Sequence, residues 1–519
     1  MRRTALLAAL AGLLLVLTGC TSFVDTMQAS RTSASSSSAA PAPVPPIEWT
    51  DCSEQIRPLI AGQPGADRNL SFECGRTKVP ISYAEPQGAT LPLFLVRVKL
   101  AGQTDRLGSL VVNPGGPGAS GADAAIGLAL TLPQQVLQRF DLVGFDPRGV
   151  GLSTPVECIP GDLKDRLVAA EPRPVTGPQL DAVFSLAREV GKDCSDKYGN
   201  ALGTFNTTDT ARDLDRIREA LGEPKLTYLG YSYGTTLGST YAELFPDRVR
   251  ALVLDGAVDP DADPVQMAEA GAAGFESGFD AFAANCTQLI AGCPVGTNPR
   301  QFVYDLLNQS ATTPIPSAKA GETRKATPGV IVTGVQAALY DQASWPQLAQ
   351  ALSAAQKGDS QGLFSLADSY SGRLDDGTYS NLFDANLAIN CADADPAKQV
   401  QESQVRQLAV DWNTKYPLFG AGSAAGLYTC SVWQAKQTPL PHQDAAGAAP
   451  ILVVGNSGDP VTPLPGAVDM ARDLKSGVLL TWQGQGHTSY PKTQCVTDAV
   501  DSYLIDLTAP VNGLTCPAG

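Results

Sequence analysis

The chain has 519 residues, 43% of them hydrophobic, with 50 glycines, 39 prolines and a formal net charge of −15. That hydrophobic share suffices for a large buried core and excludes wholesale disorder, and the length calls for a main domain with a large insertion. An acidic surface repels phosphate backbones, so nucleic acid is not expected as a partner.

The chain opens with Arg2 and Arg3 and then an apolar run from Ala5 to Leu17 that is short for a membrane span. The run ends in Leu17-Thr18-Gly19-Cys20. This resembles the lipobox of bacterial lipoproteins, which implies that residues 1–19 are a signal peptide and that Cys20 is acylated, for example with palmitate. An ordinary signal peptide that contains a cysteine is the alternative. The lipoprotein reading implies a protein anchored in the cell membrane on its extracytoplasmic face, or shed from it. Residues 20–46, rich in Ser, Ala and Pro, read as a flexible tether. Of 11 cysteines, ten remain beside Cys20, in the neighbouring pairs Cys52/Cys74, Cys158/Cys194, Cys286/Cys293, Cys391/Cys430 and Cys495/Cys516. An exported chain with an even count is expected to form disulfides. Pairing of neighbours is expected because each pair falls within one segment, although sequence does not fix connectivity and free buried thiols are the other reading. No Cys-x-x-Cys or His cluster points to a metal.

Strands are predicted at Leu93–Leu100, Leu107–Asn113 and Phe140–Phe145, the last two ending at Pro114-Gly-Gly-Pro-Gly118 and Asp146-Pro-Arg-Gly-Val-Gly-Leu-Ser153. Residues 154–206 read as a smaller, irregular insertion. Ala211, Leu214, Ile217 and Leu221 give Thr208–Leu221 a helical period, with Thr207 or Thr208 as its cap. A short strand, Leu226–Leu229, feeds Gly230-Tyr-Ser-Tyr-Gly234, and a helix follows to about Phe245. Further strands are predicted at Arg250–Val258, Pro450–Gly455 and Gly477–Trp482, with a closing helix at Thr493–Leu507. Such alternation predicts an α/β fold with a mostly parallel central sheet. The domain reading is a core at 47–258 and 450–519, interrupted at 259–449 by a mainly helical cap. That insertion holds 19 Asp and Glu against 10 Lys and Arg.

Gly230-Tyr231-Ser232-Tyr233-Gly234 matches Gly-x-Ser-x-Gly between a strand and a helix. That sharp turn needs small residues on both sides and leaves the serine hydroxyl exposed as a nucleophile. A base is needed, and the chain has only two histidines, His442 and His487. His487 directly follows a predicted strand, whereas His442 lies in a Pro-rich stretch and reads as a surface residue. Asp459, after the strand at Pro450–Gly455, is the expected orienting carboxylate, giving the order Ser232, Asp459, His487. Asp255, at another strand end, is the rival. Thr462 is a candidate supporting hydrogen-bond donor near Asp459. Oxyanion donors are expected from the N–H of Tyr233 and from the loop at 113–118, with Gly116 before Gly115. Gly-x-Gly-x-x-Gly is absent, so this loop does not read as a dinucleotide site.

Together, Asn113-Pro-Gly-Gly-Pro-Gly-Ala-Ser-Gly121, Phe145–Ser153, Gly230–Gly234, Gly458-Asp-Pro-Val-Thr-Pro463 and Gly486-His487 resemble the tripeptidyl aminopeptidase family of secreted α/β hydrolases. The loop is also similar to the His-Gly-Gly-Pro-Gly loop of the related proline iminopeptidases, with Pro114 in place of the His. The resemblance runs from about residue 46 to 516 and includes lipoprotein members described as proteases or carboxylesterases. It implies an α/β-hydrolase fold, hydrolysis of peptides from a free N-terminus or of esters, no cofactor, and a monomer. Exopeptidases of this kind hold the substrate's ammonium with carboxylates of the cap, for which Asp393, in a segment that Cys391 would pin, is one candidate. A non-catalytic lipoprotein with this fold is the remaining reading, against which the intact Ser232, Asp459 and His487 argue.

Overall fold

The computed structural model describes residues 43–519 except residue 260. The leader, the lipidation candidate Cys20 and most of the tether lie outside the described residues. The strands are β1 (Thr50–Asp51), β2 (Leu70–Pro80), β3 (Thr90–Leu100), β4 (Gly108–Asn113), β5 (Phe140–Phe145), β6 (Leu226–Tyr231), β7 (Val249–Asp255), β8 (Ile315–Pro316), β9 (Lys325–Ala326), β10 (Ile451–Gly458), β11 (Gly477–Gln485) and β12 (Leu514–Cys516). Ten of them form one sheet in the order β1-β2-β3-β5-β4-β6-β7-β10-β11-β12. Every neighbouring pair from β5 to β12 is parallel. The edge made by β1, β2 and β3 is antiparallel.

The central strands β4, β5 and β6 are buried at every position. This is what covering a parallel sheet on both faces with helices requires, and it explains why these strands read as apolar runs. Successive side chains feed two cores. Leu110, Val112, Leu142, Leu229, Val253 and Val454 pack on one face. Val111, Val143, Tyr228, Leu252, Leu254 and Val453 pack on the other. Val44 and Ile47 are both buried in the second of these cores, with the Val44 N–H donating to Glu219 Oε1 (3.1 Å).

The antiparallel strand β2 was not expected from the sequence. Glu73, Arg76 and Lys78 interrupt its apolar pattern, and the register Leu70↔Leu100 to Pro80↔Thr90 supplies the pairing instead. The smaller insertion is also more ordered than its sequence suggested, because it carries the helices Gly161–Ala169 and Gly177–Tyr198. Phe184 of the second helix packs with Val405 and Trp412 of the large insertion. The two insertions therefore make one cap. The large one runs in helices from Pro264 to Gly426 between β7 and β10, with its own core of Phe279, Phe282, Leu306, Val335, Trp345 and Leu352. The β8–β9 pair is a short hairpin within it. The helix at Thr207–Ala220 is capped by the Asn206 side chain, which accepts the Asp209 N–H, and not by Thr207 or Thr208. The disulfides are Cys52–Cys74, Cys158–Cys194, Cys286–Cys293, Cys391–Cys430 and Cys495–Cys516.

Candidate active site

Ser232 sits between β6 and the helix Tyr233–Leu244, with φ 56° and ψ −126°. A positive φ at a non-glycine residue is strained, and the neighbours over-determine it. The Ser232 N–H donates to Asp255 O at 2.9 Å, and Ser232 O accepts the Thr235 N–H at 2.8 Å. A Cβ on Gly230 would lie 2.4 Å from Gly234 O, which is why the motif needs glycine there.

His487 follows β11, and its Nδ1 lies 3.0 Å and 2.9 Å from the two carboxylate oxygens of Asp459. The imidazole is 9% exposed and the carboxylate 0%. Asp459 also accepts the N–H groups of Val461 and Thr462, each at 2.9 Å, and the Thr462 hydroxyl at 3.0 Å. Thr462 Oγ1 lies 3.3 Å from His487 Nδ1. Burial alone would raise the Asp459 carboxyl, but the His487 charge and these hydrogen bonds outweigh it and hold it below the ordinary carboxylate range. Among the described residues His487 Nε2 is buried without a hydrogen-bond partner. Nucleophile–base bonds are often open without substrate and close in the substrate complex. Ser232 and His487 meet over one short segment: Asp255 O takes the Ser232 N–H, and a Cβ on the next residue, Gly256, would lie 3.1 Å from His487 Cε1.

The rival carboxylate Asp255 makes no hydrogen bond to the imidazole among the described residues. Its oxygens accept the N–H of Ser489 at 3.0 Å and of Tyr490 at 2.7 Å. His442 is remote in role, its side chain 76% exposed and its Nδ1 2.8 Å from Asp261 Oδ2.

The loop at 113–118 lies against the serine turn. Gly115 has φ +94°, and a Cβ there would come within 2.8 Å of the Ser232 Cβ. Its N–H donates to Asn113 Oδ1 at 2.9 Å. That leaves the Gly116 amide, with the Tyr233 amide at the start of its helix, as the pair suited to a developing oxyanion. From above, the cap helix Leu382–Asp393 holds the loop, with Asn386 Nδ2 donating to Pro117 O at 3.1 Å. The cap also reaches the base, since the His487 N–H donates to Tyr340 O at 2.7 Å and the two rings meet edge-on at 5.3 Å.

Asp393 ends that cap helix and accepts both the N–H (2.8 Å) and the hydroxyl (2.6 Å) of Thr207. Thr207 Oγ1 in turn bonds the Tyr233 hydroxyl. Burial pushes the Asp393 carboxyl up to about 7, against the pull of Thr207. Tyr340 and Asn386 were not singled out in the sequence, and Thr207 was read there only as a candidate helix cap. They carry no motif and act through long-range contacts. Among the described residues no group of three or more His, Cys, Asp or Glu could hold a metal ion.

The arrangement can move a proton from the serine hydroxyl to an imidazole whose tautomer a buried carboxylate fixes. Comparison with known proteins agrees with that chemistry. The family model for the alpha/beta hydrolase fold matches residues 108–491. Serine protease Hip1 of Mycobacterium tuberculosis is 39% identical over 531 residues, covering 98% of this chain and 96% of that protein. Carboxylesterase B of the same species is 37% identical over 536 residues, covering 99% of each. Tripeptidyl aminopeptidase of Streptomyces lividans is 32% identical over 485 residues, covering 91% of this chain and 86% of that protein.

Proposed function

The chain belongs to the α/β-hydrolase family and is a serine hydrolase, and on that premise we propose that it is an extracytoplasmic peptidase releasing di- or tripeptides from free N-termini. Ser232 attacks the carbonyl and His487 takes its proton. Asp459 holds the imidazole and stabilises its charged form. Gly116 and Tyr233 receive the oxyanion, and water then releases the acyl-enzyme. The observation that carries the peptidase reading is Asp393, a cap carboxylate linked through Thr207 to Tyr233, the residue beside the nucleophile. A carboxylate there is suited to a substrate ammonium a few residues from the scissile bond. Likeness to proteins called serine protease and tripeptidyl aminopeptidase supports it.

Likeness to a protein called carboxylesterase favours a second reading, an esterase acting on cell-envelope esters. The same triad serves both bonds. Membrane anchoring through an acylated Cys20, with the enzyme facing outward as a monomer, belongs to the proposal, and the five disulfides support an oxidising compartment.

Tripeptide p-nitroanilides with free and blocked N-termini, set against p-nitrophenyl esters, separate the readings. Cleavage lost on blocking the amine is expected. Indifference to blocking together with fast ester turnover overturns the peptidase reading. Ser232→Ala is expected to abolish turnover of both classes.

A further inference from the structure

His487 lies in a strained turn. Gly486 has φ +102° and Thr488, a β-branched residue, has φ +61°. A β-branched side chain in that region is an outlier that persists only where the surroundings impose it. Here each backbone N–H from 487 to 490 has a fixed acceptor. The His487 N–H is taken by Tyr340 O at 2.7 Å. The Thr488 N–H is taken by Asp459 Oδ2 at 3.2 Å. Those of Ser489 and Tyr490 go to the Asp255 carboxylate. Lys492 Nζ donates to His487 O at 2.8 Å, and the Tyr231 hydroxyl donates to Tyr490 O at 3.2 Å.

Among the groups that accept these N–H bonds, within the described residues, Asp255 is the one that also hydrogen-bonds the nucleophile's residue, because its carbonyl receives the Ser232 N–H. One side of Asp255 thus sets the serine turn, and the other sets the histidine turn. It is 0% exposed. Burial pushes its carboxyl up to about 6, while the N–H groups of Tyr490 and Ser489 and the charges of Lys492 and His487 pull it back. A buried carboxylate is a costly way to tie down a loop, and a neutral acceptor would satisfy the same amides at less desolvation cost. A negative charge within electrostatic reach of His487 adds something a neutral anchor does not, because it favours the imidazolium formed as Ser232 attacks.

We propose that Asp255 is a positioning residue for catalysis: its carboxylate, acting through the Ser489 and Tyr490 amides, holds His487 in register with Ser232. The proposal rests on the assignment of Ser232 and His487 above. It gives the second buried carboxylate a role distinct from that of Asp459, which bonds the imidazole itself.

The test uses a fluorophosphonate probe, which reports the reactivity of the serine whether the enzyme prefers peptides or esters. In Asp255→Asn the amide oxygen can keep both N–H bonds from the place of Oδ2, but the amide nitrogen then stands in the place of Oδ1 against the Ser489 N–H, so the charge is lost and the turn is pushed at that point with little change in volume. The labelling rate is expected to fall on the order of 10- to 100-fold. Ester KM is expected to stay within about twofold while kcat falls. A merely structural role would not move the second readout, the Nδ1–H proton resonance of His487. His442→Gln makes His487 the sole imidazole, and Asp255→Asn in that background is expected to shift or broaden this signal. Asp255→Ser, smaller and uncharged, is the second variant and decides the matter if the first does not fold. Labelling within about twofold of the parent in either folded variant overturns the proposal. Failure of both to fold also overturns it, in favour of a purely structural anchor. Ser232→Ala keeps the two ideas apart, because persistent labelling of that variant sinks the nucleophile assignment whatever Asp255 does.

Discussion

At the scale of single residues, the most informative group outside the triad is Asp393. Its carboxyl is held up to about 7 by burial, so it is about half ionised at neutral pH. An ammonium is bound by the ionised form only, and therefore above that value. The substrate's own α-amino group loses its charge above about 8. For free-amine peptides 1/KM is thus expected to rise from about pH 6, peak between about pH 7 and 8, and fall again. Asp393→Asn removes the acidic limb and leaves only the fall. It should raise KM for free-amine peptides about 10-fold or more, the loss expected for a hydrogen bond between charged groups, and leave that for p-nitrophenyl esters within about twofold. An acidic limb that survives in Asp393→Asn would assign it to another group. The sequence offered Asp393 as one candidate in an acidic cap, on the ground that Cys391 pins its segment. Its partner Thr207 lies 186 residues away, and no local pattern records that contact.

At the scale of elements, the helix Leu382–Asp393 links cap to chemistry. The ion pair between Lys164 and Asp384 holds its first turn at 2.5 Å, and the Cys391–Cys430 disulfide holds its last. Asn386, between them, donates to Pro117 O in the loop that carries the Gly116 amide. Asn386→Leu removes that donor and frees the loop on one side. A hydrogen bond of this kind is worth about 1 kcal/mol, so kcat should fall roughly fivefold with KM unchanged, read on p-nitrophenyl esters. An unchanged kcat would mean that the loop is fixed by the serine turn alone. What could be read at this scale divides by range. β5 stands at Phe140–Phe145 as its apolar run predicts, and the triad order follows from strand ends and the scarcity of histidine. β2, the cap helix Gly177–Tyr198 and the contact between Asn386 and Pro117 depend on partners far along the chain. Glu73 shows why, since a residue that reads as a strand breaker is neutralised in place by Arg97 and Lys99 from β3.

At the scale of the whole molecule, the sheet and the smaller insertion are tied at Arg148, from the Asp-Pro-Arg-Gly segment that ends β5. Its side chain is 0% exposed. It pairs with Asp213 through Nε at 2.7 Å and Nη2 at 2.6 Å. It also donates to Pro80 O at the end of β2, to Ile81 O just after it, and to Thr204 O at the end of the insertion. One guanidinium thus joins the antiparallel edge, the insertion and the helix Thr207–Ala220, whose first residue bonds Asp393 and Tyr233. Removing one partner of such a pair strands a buried charge and typically costs about 3–5 kcal/mol. Arg148→Ala is therefore expected to lose that much in urea unfolding with the disulfides intact, and to unfold the insertion together with the core. The double variant Arg148→Met/Asp213→Leu removes both charges and should recover at least about half of the loss. A single variant that loses less than about 1 kcal/mol would show that water enters the site and solvates Asp213. A double variant no better than the single would place the cost in the carbonyl contacts instead. Arg148 would then matter for where the three segments end, and its charge would contribute little.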